Sequence, residues 1–165
     1  MAKYTIGVSS ITVGAIAGDG GPGTTLAALG LTMEDSCKLT QDDPTTTEFF
    51  AEEQDAAVFT KSKGGAIKLT FQVMDPDTDT LVALFGGSAP GTTPNKTWNM
   101  PATIPTIEKT VKVTPSEGMT VMIPRGSIVA KLNGDFSKKA LFVIDVTVTA
   151  LTPTKSGVGP IQFIE

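Results

Sequence analysis

Between Ala66 and Gly87 the chain reads AIKLTFQVMDPDTDTLVALFGG, a one-sided strand that runs into one short amphipathic helix. Ile67, Leu69, Phe71 and Val73 alternate with Lys68, Thr70 and Gln72, so a strand here has one apolar face and one wet face. Asp75 suits the cap of the next helix, Pro76 its first position, and Asp77 and Asp79 the positive end of its dipole. Leu81, Val82, Leu84 and Phe85 then form an apolar stripe, which Gly86-Gly87 ends. The pattern predicts a helix over about Pro76 to Phe85.

Elsewhere the alternation has the period of strands. A first strand is expected over Tyr4 to Ile16, with a bulge or break near Ser9-Ser10, because Tyr4, Ile6 and Val8 share one parity and Ile11 and Val13 the other. A second extended segment covers roughly Leu31 to Gln41. Val111 and Val113 mark a strand over Glu108 to Thr114, and Pro115 to Gly118 reads as a turn. Met119, Val121 and Ile123 restart the alternation, Pro124-Arg125-Gly126 interrupts it, and Ile128 to Leu132 continues it up to a hairpin signal at Asn133-Gly134-Asp135. Phe142, Ile144, Val146, Val148 and Ala150 line one face of the longest strand, against Asp145, Thr147 and Thr149. Beyond Pro153 the chain reads as loop, with Ile161, Phe163 and Ile164 as docking residues.

Composition supports a mostly β chain. Threonine runs such as Thr45-Thr46-Thr47 and the stretch Asp145 to Leu151 favour strands, while 17 glycines and 11 prolines imply many turns. A length of 165 residues fits one domain. There is no histidine, which removes the commonest general base and metal ligand. The lone Cys37 excludes an internal disulfide and a cysteine-rich metal site, and reads as a small residue in or beside a strand. The start MAKYTIGVSS has no apolar leader core, and no segment approaches a membrane-spanning helix in length, so a cytoplasmic product without membrane insertion is expected.

The net charge of -4 is unevenly distributed. Asp42, Asp43, Glu48, Glu52, Glu53 and Asp55 lie between Leu39 and Thr60 with no basic residue among them, and Phe49, Phe50, Val58 and Phe59 sit within or beside them. Two readings stand: a solvated loop with a few anchoring aromatics, or an arm that orders against another subunit. The acid spacing does not match a calcium-binding EF-hand loop. The glycine-rich loop Gly18 to Thr25 lacks the Lys-Ser/Thr of a phosphate-binding P-loop and leads into no long helix. No basic stripe suits the chain to gripping nucleic acid. A carboxylate-only hydrolase would draw on Asp75, Asp77 and Asp79, but helix capping explains them more simply. No catalytic residue, cofactor or metal is expected, and the chain is read as not an enzyme.

Three features occur in a recognisable order: the strand and helix KLTFQVMDPDTDTLVALFGG (Lys68 to Gly87), the strand-turn-strand KTVKVTPSEGMTVMIPRGSIVAKLNGDFSK (Lys109 to Lys138), and the closing strand LFVIDVTVTALTP (Leu141 to Pro153). In this order the chain resembles the major tail tube proteins of long-tailed bacteriophages, a family related in fold to the tube proteins of type VI secretion and contractile injection particles. The likeness covers roughly Ala66 to Pro153 and rests on pattern and order. It implies a small β-sandwich or barrel with one helix, occupying residues 1–165, with 40–61 as an inter-subunit arm formed by a long acidic loop and 154–165 as a C-terminal tail.

It further implies a virion structural protein assembled in the bacterial host cytoplasm, in which six copies form a ring and rings stack into a tube. Its partners would be copies of itself and, in such tails, terminator, baseplate or tape-measure proteins, while DNA passes through the lumen without specific binding. Threonine on wet strand faces and an acidic bias suit such transit, although Lys68, Lys109 and Lys112 run against it if their faces point inward. The arm residues implied are Asp42, Asp43, Glu48, Phe49, Phe50, Glu52, Glu53, Asp55 and Phe59. A non-enzymatic immunoglobulin-like or capsid-decoration binding module shares the strands and turns but has no need of an aromatic acidic arm.

Overall fold

Strand alternation dominates the computed structural model, which describes residues 4–165, so Met1 to Lys3 of the start read above for a leader lie outside the described residues. The strands in chain order are β1 (Ser10–Gly14), β2 (Ala27–Ala28), β3 (Lys38–Gln41), β4 (Thr45–Phe50), β5 (Ala57–Lys63) and β6 (Ile67–Val73). After the helix α1 (Thr78–Phe85) come β7 (Ile107–Thr114), β8 (Thr120–Gly134), β9 (Phe142–Ala150) and β10 (Gln162–Ile164). Every strand pairing is antiparallel. The main sheet runs β2-β1-β7-β8-β9-β6-β3, with β10 added to β8, and β4-β5 forms a separate two-stranded sheet. The fold is mostly β with one short helix.

The main sheet is rolled, and one extended segment joins its two sides. Residues 27–29 lie along β1, where Ala28 opposes Thr12 and the Leu29 N–H donates to the Ile11 carbonyl at 3.1 Å. A few residues on, the same segment lies along β6: the Met74 N–H donates to Leu31 O at 3.0 Å and the Met33 N–H to Gln72 O at 2.9 Å. It then turns at Asp35, whose φ is 57°, and rejoins β6 as β3, with Leu39 opposite Leu69. Leu31 to Gln41 is thus extended at both ends, as its pattern predicts, and broken in the middle. Rolling of this kind pairs the strand edges that an open sheet leaves bare.

The inward face forms one core. Ile11 and Val13 from β1, Leu69, Phe71 and Val73 from β6, Val111 and Val113 from β7, Ile123 and Ile128 from β8, and Ile144, Val146 and Val148 from β9 meet Leu29, Leu84 and Phe85 there. The alternations read in β6, β7 and β9 therefore face inward. Trp98 packs against this core, with its ring 5.6 Å from that of Phe85 and its indole N–H donating to Gly86 O at 3.0 Å. It is the packing anchor of the loop after the helix.

Several expected boundaries move. The helix begins two residues later than its composition suggests: Asp77, not Asp75, is the N-cap, and its carboxylate accepts from the Thr80 N–H at 2.7 Å. Asp75 instead accepts from the Leu31 N–H. The first strand is Ser10–Gly14 alone; Gly7 breaks the chain at φ 68°, and Ile6 pairs singly with Glu117. Asn133-Gly134 is not a tight turn, because both residues still pair, with Val143 and Phe142, and residues 135–141 form the loop. The tail is not all loop: β10 pairs Gln162, Phe163 and Ile164 with Met122, Val121 and Thr120.

Pro124-Arg125-Gly126 does not interrupt β8 but forms a bulge within it. Lys109 opposes Gly126 while Val111 opposes Ile123, so Pro124 and Arg125 together face Thr110. A bulge tolerates a proline that has no N–H to offer the ladder, and it shifts the inward parity from Ile123 to Ile128. It also turns Arg125 towards Glu108, which it grips through Nε at 2.8 Å and a second nitrogen at 3.2 Å, while it reaches Thr152 O at 3.3 Å. The bulge is closed from inside by Thr110, a fully buried residue. Its hydroxyl donates to Pro124 O at 2.8 Å and accepts from the Gly23 N–H at 2.8 Å.

Thr110→Val keeps the volume but leaves a buried donor and a buried acceptor without partners. We expect it to lower the unfolding free energy by about 1–3 kcal/mol, whereas Thr110→Ser stays closer to the parent. Urea unfolding checks this, and an unshifted midpoint for Thr110→Val contradicts the role given to the hydroxyl.

Candidate functional site

The acidic excursion is not the loop expected from its charge. β4 and β5 pair from Thr45 opposite Lys63 to Phe49 opposite Phe59, then shift register to bring Phe50 opposite Ala57. β-Branched Thr45, Thr46 and Thr47 carried the strand signal, but no buried face was there to reveal it as alternation. The ribbon grows out of the β3-β6 pair, which ends where the Asp42 N–H donates to Ala66 O at 2.9 Å. At that joint Gly65 passes so close to Asp42 that a Cβ would lie 1.8 Å from the Asp42 carbonyl oxygen, so only glycine fits.

Every residue from Gln41 to Gly64 is exposed except Ala51, which is half-buried. Neither face of the ribbon meets the core. Phe49 and Phe59 hold each other across the strands, their ring centres 5.8 Å apart, yet Phe50 and Phe59 remain 61% and 60% exposed. An isolated two-stranded hairpin is marginal in water, and a tightly grouped set of exposed aromatics marks an interaction surface.

The structure divides the candidate arm residues into two groups. Phe49, Phe50, Phe59 and Glu48 lie on the ribbon strands, and Glu52, Glu53 and Asp55 lie in its end loop, so these come together at the outer half of the ribbon. Asp42 and Asp43 belong to the joint. Asp42 pairs with Lys68 at 2.8 Å and is tied to the barrel.

The other candidates have local duties. Asp77 caps the helix, Asp79 pairs with Lys96, and Asp75 holds the closing segment at Leu31. In the glycine-rich loop the Gly21 N–H donates to the Asp19 carboxylate at 2.9 Å and the Gly23 N–H to Thr110, so donors that a phosphate would need already have acceptors. Asp19 is in turn bound by Lys155 at 2.6 Å, which is the main cause holding its carboxyl below the usual range. Cys37 is half-buried beside a groove of about 690 Å³ lined in part by Ile6, Val8, Met33 and Leu39, and burial pushes its thiol up. Among the described residues no group of three or more acidic or cysteine side chains is placed to hold a metal ion, and no helix is long and apolar enough to cross a membrane.

A second exposed tip escaped the sequence reading. Residues 131–141, around the β8-β9 connection, are all exposed, and Phe136 stacks on Phe142 at 5.6 Å while remaining 94% exposed. Gly134 allows this packing, since a Cβ there would lie 2.6 Å from the Phe142 ring. Phe136 and Leu141 within a lysine-bearing turn were the available signal. In comparisons with protein-family models and with curated proteins, nothing matches the chain.

The Asp77 carboxyl is held below its ordinary value, chiefly by the Thr80 backbone N–H. A lowered folded-state pKa means that the stabilisation is present above the unfolded carboxyl pKa and is lost as pH falls through the folded value. Asp77→Ala is therefore expected to cost about 1 kcal/mol near neutral pH. Its deficit against the parent should narrow on acidification through that range. A deficit independent of pH, measured by thermal unfolding, contradicts the charged cap.

Proposed function

We propose that the chain is a self-assembling structural subunit of a phage tail tube, whose copies form rings, six to a ring, that stack around a channel for DNA. The observation that carries this reading is the β4-β5 ribbon. It places Phe49, Phe50, Val58 and Phe59 in solvent, with no core of its own to cover them. A second copy is the natural source of that cover.

Other features support the reading. The resemblance in the order of strand, helix, strand pair and closing strand favours a tube subunit. The acids whose chemistry most suggested an active site cap the helix, pair with Lys96 or hold the closing segment. A net charge of -4 suits a channel through which phosphate must pass without sticking. On this reading the chain acts in the virion tail after assembly in the host cytoplasm, with terminator, baseplate or tape-measure proteins at the ends or in the lumen of the tube, and the activity belongs to the assembly, with no enzymatic step.

Purified protein at high concentration should form hollow tubes or rings of uniform width in negative-stain microscopy. Replacing Thr45–Lys63 with a short Gly-Ser turn should leave a folded barrel, with the same far-ultraviolet strand signature, that stays monomeric in sedimentation. A parent protein that remains a monomer at every concentration contradicts the proposal and favours a decoration module. Normal tubes from the shortened protein contradict the part given to the ribbon.

A further inference from the structure

The two exposed tips lie at opposite ends of the barrel. β6 begins beside the end of β9, with Lys68 opposite Thr149, so the ribbon leaves the barrel at the Ala150 end of β9. The β8-β9 connection enters β9 at Phe142, the other end. The nine residues of β9 separate the two by roughly 30 Å at strand rise.

Their charges are opposite. From Glu48 to Phe59 the ribbon carries Glu48, Glu52, Glu53 and Asp55 with no basic residue. The β8-β9 loop carries Lys138 and Lys139 against Asp135 alone. None of these side chains forms an ion pair among the described residues. Each tip also presents aromatic or aliphatic surface: Phe49, Phe50 and Phe59 on one, Phe136 and Leu141 on the other. These two stretches are the longest exposed runs among the described residues.

We propose that the acidic aromatic tip of one copy docks on the β8-β9 tip of a second copy, Glu52 and Glu53 facing Lys138 and Lys139 while the phenylalanines pack together. The inference rests on the assembly reading above and names the receiving surface for the ribbon. Because the surfaces differ and sit at opposite ends of one chain, the contact is head-to-tail: each copy offers a free ribbon at one end and a free receiver at the other, and growth continues along the strand direction. Complementary charge sets the partner and the register, and the buried rings supply the hold.

The test is a charge exchange. Glu52→Lys/Glu53→Lys and Lys138→Glu/Lys139→Glu each set like charges against one another. Each alone should raise the concentration needed for assembly, measured by sedimentation, by about tenfold or more, without shifting the thermal unfolding midpoint. The four-fold variant carrying both pairs should regain the parent value, and an equimolar mixture of the two double variants should co-assemble, since each then matches the other at both ends. If Lys138→Glu/Lys139→Glu assembles like the parent, or if neither the combined variant nor the mixture recovers, the β8-β9 tip is not the receiver. The assembly reading survives either result so long as the parent forms tubes and the ribbon-deleted protein does not; a parent that never assembles removes both.

Discussion

Closure of the sheet by residues 27–41 is the constraint on which the rest of the structure depends. This one segment bonds β1 through Leu29 and β6 through Leu31 and Met33. It is held from outside by the strand-helix unit: the Thr80 hydroxyl donates to Leu29 O at 3.2 Å, and Asp75 accepts from the Leu31 N–H. Closing the sheet gives the apolar faces of β1, β6, β7, β8 and β9 a common interior and gives their edges partners. What closure cannot cover stands out for that reason. The β4-β5 ribbon and the β8-β9 tip project past the pairing that ends at Asp42 and Ala66 on one side and near Phe142 on the other.

The core strands were legible because burial on one face imposes a period of two. Leu69, Phe71 and Val73, and likewise Ile144, Val146 and Val148, alternate in the sequence and face inward in the structure. The helix was legible as an apolar stripe ended by Gly86, whose φ of 76° suits glycine. Its start was misjudged by two residues because Asp75 and Asp77 are equally good capping chemistry. Only the fold shows that Asp75 is needed at Leu31, forty-four residues back in the chain.

The remaining discrepancies share a cause: long-range pairing that leaves no periodic trace. β8 stays one strand across Pro124 because the extra residue is absorbed opposite Thr110, a match no local pattern contains. Asn133-Gly134 carries tight-turn chemistry, yet the ladder with β9 continues through both residues. The ribbon hid its strands because exposure on both faces erases alternation, and its charge imitated a loop. Its aromatics and acids were nonetheless readable as one exposed group, whereas Asp42 and Asp43 precede the ribbon at its joint, where Lys68 binds Asp42. The basic tip was missed because Phe136, Lys138 and Lys139, though close together in sequence, follow the tight-turn signal of Asn133-Gly134 and read as ordinary turn residues. Only the fold shows them as a wholly exposed tip at the far end of β9 from the ribbon.

The central claim is that the ribbon is completed by another copy of the chain. Backbone hydrogen exchange, followed residue by residue in dilute protein and at a concentration where sedimentation detects assemblies, tests it most directly. The account predicts that protection of Thr45–Lys63 and of residues 133–142 rises together on concentration, while the barrel strands β6, β7 and β9 change little. Protection of the ribbon that is the same in the dilute monomer and in the concentrated sample would contradict it.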